Sequence, residues 1–145
     1  MKFVDDIIKR FKREGYFLPE IETESSGEKC IRLMKLSSIS TDVLEIFETE
    51  DCSAANVMKY LKEDFEYDIY KNYILNDKVN SINRIIVCNN IDKYEKEDIL
   101  NKIDSSCKDK KLSLILVVPN RAEIIYDDSK LNIDDNVLRI LTDSI

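Results

Sequence analysis

The sequence predicts an α/β fold, a single-domain three-layer α/β/α arrangement with a mixed central sheet spanning residues 1–145. Three observations carry that expectation. An amphipathic helix opens the chain, a Ser-Ser-Gly turn separates two segments that read as a hairpin, and two unbroken aliphatic runs in the second half are joined through a helical pattern. Glycine and proline number only two each, which leaves little flexible linker for a second domain. A small flavodoxin-like doubly wound sheet is the alternative arrangement of the same elements.

The first helix covers residues 2–14, with Phe3, Val4, Ile7, Ile8 and Phe11 on one face. Asp5 and Asp6 sit early and Lys9, Arg10, Lys12 and Arg13 late, as the helix dipole favours. Gly15 falls where a C-terminal cap is wanted. Residues 16–24, the turn Ser25-Ser26-Gly27 and the run Cys30–Leu36 read as a hairpin. Val43–Thr49 reads as a strand buried on both faces, with Val43 and Phe47 on one side and Leu44 and Ile46 on the other. Ser53 offers an N-cap to a second amphipathic helix over 54–65, built on Ala54, Val57, Met58, Leu61 and Phe65.

Residues 66–75 fit either helix or strand, and the polar span Asn76–Asn83 reads as a loop. Ile85–Cys88 is a continuous apolar strand. A helix at about 96–107 leads through Lys108, Lys110 and Lys111 into a strand at Leu112–Val118, which Pro119 ends. Aliphatic strands joined through a helix suggest parallel pairing with both faces covered. A short strand at Ala122–Tyr126 and a last helix at about Asp135–Asp143 complete the chain.

The composition excludes several chemistries. There is no histidine, which removes imidazole ligands and every Ser-His or Cys-His nucleophile pair. Neither Gly15 nor Gly27 has a second glycine nearby, so no phosphate loop exists. The four cysteines, Cys30, Cys52, Cys88 and Cys107, lack the spacing of a metal knuckle or redox motif, and Cys88 and Cys107 read as small core residues. The segment Tyr126–Asp135 lacks the ligand spacing of a calcium loop. The amino-terminal stretch carries acids where a signal peptide is apolar, and no apolar run reaches membrane-spanning length. The expectation is a cytoplasmic protein with reduced thiols, no cofactor and no membrane association.

The formal charge is −7, which disfavours nucleic acid as the main partner. Residues 37–51 hold Asp42, Glu45, Glu48, Glu50 and Asp51 and no base, a local charge of −5. A solvated surface explains these acids most simply, and the functional reading is a divalent-cation site or a docking face for a basic partner. Asp127, Asp128, Asp134 and Asp135 make a second acidic group.

The order helix, three strands, helix, strand, helix, strand over about residues 2–118, with the sequence REGY closing the first helix, resembles the restriction-endonuclease-like, or PD-(D/E)xK, superfamily. That resemblance implies a metal-dependent nuclease with an acid near the end of the second strand and an acid-x-lysine trio on the third. Here the second strand, EKCIRLMKL, has only Glu28 at its start. The third, VLEIFETED, offers Glu45 and Glu48, but Phe47 and Glu50 stand where the lysine belongs. The resemblance therefore implies an inactive relative more than a nuclease.

Three functions fit this sequence. The first is a non-catalytic interaction or regulatory module of a larger machine, acting through the acidic face. The second is a nuclease with a rearranged site using Glu45 or Glu48 with Lys35. The third is a nucleotide-sensing domain with its ligand beyond the strand ends, near Asn89, Asn90 and Asn120.

Overall fold

A computed structural model describes residues 2–19, 30–50, 52–62, 70–71, 73–74, 79–89, 97–99, 101, 112–126 and 135–145. Helix α1 runs Lys2–Arg13 and buries Val4, Ile7 and Phe11, the positions that its period selects. It ends in a Schellman motif. Gly15, at φ +99°, donates its N–H to the Lys12 carbonyl at 3.1 Å, and Tyr16 donates to the Phe11 carbonyl at 3.1 Å. The Tyr16 ring then meets the Phe11 ring edge-on at 5.6 Å, the apolar contact that completes this cap.

The chain next reaches the sheet through Phe17, which exchanges two backbone hydrogen bonds with Met34. This bridge is the described remnant of the expected hairpin; residues 20–29 lie outside the described residues. Strand β1, Cys30–Leu36, pairs antiparallel with β2, Thr41–Thr49. A Ser37–Ser40 turn joins them, in which the Ser37 hydroxyl accepts the Ser40 N–H at 3.1 Å. Helix α2, Ala54–Lys62, begins at the Ser53 cap, whose hydroxyl accepts the Asn56 N–H at 3.3 Å.

Strand β3, Val79–Cys88, lies parallel to β2, and β4, Leu112–Val118, parallel to β3. A tight turn with Ala122 at φ 51° reverses the chain into β5, Glu123–Tyr126, antiparallel to β4. Helix α3, Asp135–Ser144, closes the described chain. The strand order is β1-β2-β3-β4-β5.

Strand parity divides the core in two. Leu33, Leu44, Ile46, Ile85, Val87, Ile115 and Val117 face α1 and α3, meeting Phe11, Val137 and Leu141. Phe47, Ile82, Ile86, Cys88, Leu116 and Val118 face the other way, against Val57, Met58 and Tyr60 of α2 and the buried Ile99. Glu97–Ile99 and Asn101 are helical, and the rest of the expected 96–107 helix lies outside the described residues. The result is the expected three-layer α/β/α arrangement around a mixed sheet.

Two expectations are corrected. The flavodoxin-like alternative fails, because a doubly wound sheet of that type carries its first strand inside the order, 2-1-3-4-5, and is parallel. Residues 79–83, expected as loop, form the first half of β3. They pair with β2, and from Ile82 onward with β4 as well, so a polar residue such as Asn83 is tolerated in a central strand although it is fully buried. Among the described residues no helix is long and apolar enough to cross a membrane.

Candidate functional site

The acid that sequence reading places on the surface, Glu45, lies inside. It stands in the middle of β2 with the same parity as Val43 and Phe47, and 3% of it is exposed. The register sets one row across three strands: Arg32 of β1 faces Glu45, and Glu45 faces Arg84 of β3. All three side chains point to the α2 side of the sheet, where alternation along each strand sends them.

Arg84 is 1% exposed and approaches Glu45 in a fork, with Nε and Nη2 donating to Oε1 at 3.1 and 2.8 Å. Its Nη1 donates to the Tyr60 carbonyl of α2 at 2.8 Å, and its guanidinium lies 5.6 Å from the centre of the Phe47 ring. The other oxygen, Oε2, accepts the Tyr70 hydroxyl at 3.0 Å. Arg32 adds a weaker ion pair, its Nε 3.8 Å from Oε2. That Nε is buried and has no hydrogen-bond acceptor among the described residues.

Burial, reinforced by the Glu45 charge, drives the Tyr70 phenol well above the ordinary tyrosine value, so it stays a neutral donor. For Arg32 burial works against the cation, but Cys30, Tyr70 and Glu45 outweigh it and raise its value further. Two guanidiniums, one carboxylate and a neutral phenol thus form a buried network carrying one net positive charge. A charge in such a place needs partners at good geometry, and Glu45 and Arg84 supply each other's.

No known family model matches the chain, and no curated protein or solved structure matches it either. Function must therefore be argued from the residues themselves.

The remaining acids separate. Asp42 and Glu48 are partly exposed and share the α1 side of the sheet, Glu50 is exposed just past β2, and Asp51 lies outside the described residues. Asn89 donates its backbone N–H to the Thr49 carbonyl at 3.3 Å and its amide to Glu48 Oε1 at 3.5 Å, tying the ends of β2 and β3 together. Asn120 is exposed in the turn after β4, and Asn90 lies outside the described residues.

Lys35 does not join a catalytic trio with either glutamate. It stands on the α1 face, opposite Asp42, while Glu45 is on the other face. Glu48 lies six residues further along β2 than Asp42, about 20 Å at strand rise. Lys35 instead covers the Tyr16 ring, 5.8 Å from its centre. Cys52 and Cys88 are buried in the α2-side core, as small apolar residues are, and Cys107 lies outside the described residues.

Sequence reading missed Arg84 and Tyr70. One signal pointed to Arg84: it shares parity with the apolar Ile82, Ile86 and Cys88 of the same strand.

Proposed function

We propose that this chain is a non-catalytic interaction or regulatory module that meets a basic protein partner through the acid-bearing carboxyl end of β2. The observation that carries the reading is the state of Glu45. On the third strand of a restriction-endonuclease-like arrangement this carboxylate would have to bind a metal ion. Here both its oxygens are occupied by Arg84 and Tyr70, so opening it to a metal would leave the Arg84 charge buried without its partner. What the end of β2 offers instead is Glu48 and Glu50, at least partly exposed beside Asn89. Rim charges of this kind speed encounter with an oppositely charged partner more than they tighten the complex.

The test substitutes the two surface acids and leaves Glu45 alone. Glu48→Gln with Glu50→Gln should slow association with the captured partner about tenfold at low salt and flatten the salt dependence of its rate. Capture kinetics unchanged by both substitutions would overturn the reading. So would cleavage of DNA by the pure chain with manganese or magnesium, if Glu45→Gln abolished it.

A further inference from the structure

Between the carboxyl end of α1 and the middle of α3 lies a cleft of about 260 Å³ lined by Arg10, Arg13, Glu14, Arg139, Ile140 and Asp143. Its charge is unlike that of the rest of the molecule. Three guanidiniums meet two carboxylates, a local charge of +1 on a chain whose net charge is −7. Arg10 and Arg13 are three residues apart on α1 and so lie on one face of the helix. Both are exposed, and neither has an ion-pair partner among the described residues. Arg139 is held across the cleft by Glu14, its Nη2 3.5 Å from Oε1, and Ile140 supplies a buried apolar wall.

Helix-dipole compensation accounts for bases in the last turn of α1, but not for this group. Lys12 serves the dipole equally and does not line the cleft, whereas Arg139 sits in the middle of α3, whose last turn holds no base. The convergence of arginines from two helices on one concave surface is the feature that needs a reason. A guanidinium presents paired N–H groups that match the oxygens of a phosphate, and weak hydration makes arginine the cation suited to that contact. The volume falls just short of the roughly 300 Å³ at which pockets for drug-sized ligands begin, yet it accommodates one or two phosphate groups.

We infer that this cleft binds a small phosphate-bearing anion, with Arg10 and Arg13 as the free ligating groups and Arg139 partly engaged by Glu14. The two carboxylates set its affinity from below: Glu14 occupies part of Arg139, and Asp143 repels the ligand. The inference is independent of the acidic end of β2, which takes no part in the cleft.

The sign pattern of four substitutions tests it. Pyrophosphate and a nucleoside diphosphate would be titrated calorimetrically into the full chain at low ionic strength, with a single-stranded oligonucleotide as a third arm. Arg10→Ala and Arg13→Ala should each weaken binding about tenfold, the worth of a charge-assisted contact. Glu14→Gln and Asp143→Asn should each tighten it about threefold by removing a nearby negative charge. Tighter binding of the nucleoside diphosphate than of pyrophosphate would assign the ligand to nucleotides, and equal binding to phosphate groups alone; both support a small-anion site. Because all four residues are surface residues, unchanged urea midpoints will show that each variant is folded. Should the arginine variants lose structure, the two carboxylate variants still carry the test. No binding of either small anion, affinity indifferent to Arg10 and Arg13, weakening by Glu14→Gln or Asp143→Asn, or binding of the oligonucleotide alone would each overturn the inference.

Discussion

Replacing Glu45 with glutamine preserves its size and removes its charge, which isolates what the buried network contributes. Glu45 accepts three hydrogen bonds, at 2.8, 3.1 and 3.0 Å, from Arg84 Nη2, Arg84 Nε and Tyr70. In the variant Arg84 stays 1% exposed and stays charged, because a guanidinium does not release its proton under these conditions. Stranding one partner of a buried pair in this way costs about 3–5 kcal/mol. For a domain of this size, stable by about 5–15 kcal/mol, that is a large share of the total, and it lowers Tm by about 10 °C.

Urea unfolding followed by circular dichroism measures the loss, and two controls assign it. Glu45→Leu combined with Arg84→Met removes both charges and should recover most of the stability, since an apolar pair of similar volume often does as well as a buried ion pair. The deficit of Glu45→Gln should also persist in about 1 M salt, because a buried pair is screened far less than an exposed one. A loss below about 1 kcal/mol, or one that vanishes with salt, would mean that water reaches Arg84 and would refute the reasoning.

Two further outcomes follow from single residues. The raised Tyr70 phenol keeps its proton in the folded state while the unfolded chain releases it near the ordinary value of 10.0, so stability is fully present below that pH and falls above it. Tyr70→Phe should be less stable at neutral pH by about 1–2 kcal/mol yet show a shallower decline between about pH 9 and 11; parallel declines would remove Tyr70 as a cause. Gly15→Ala places a Cβ on a backbone at φ +99°, 3.4 Å from the movable Lys35 Cε, so the strain is in the backbone more than in the contact. It should cost at least about 1 kcal/mol in the urea midpoint, and a neutral result would deny the Schellman cap its role.

These residues also separate what was legible in the sequence from what was not. Helix α1 and its cap could be read because their determinants are local: a 3.6-residue period and one glycine at the position that needs positive φ. Strand β4 could be read because a run aliphatic on both faces has few other places to go. The first half of β3 could not, since Asn83 is buried on the strength of backbone partners from β2 and β4, which nothing in its neighbourhood announces. Glu45 failed in the same way. Within residues 37–51 it has only acids for company, so a local count of charge makes the segment a solvated face. Its hydrogen-bond partners, the Tyr70 phenol and the neutralising Arg84, come from 25 and 39 residues downstream. Local charge therefore misjudges an acid in the middle of a strand that is buried on both faces. For Glu45 the inward parity was visible in Val43 and Phe47, and it required a base of inward parity on an adjacent strand. Arg84 meets that requirement on β3 and Arg32 on β1, in one register row. Glu48 shares its face with the buried Leu44 and Ile46, but it stands one residue from the strand end and remains partly exposed to meet something else.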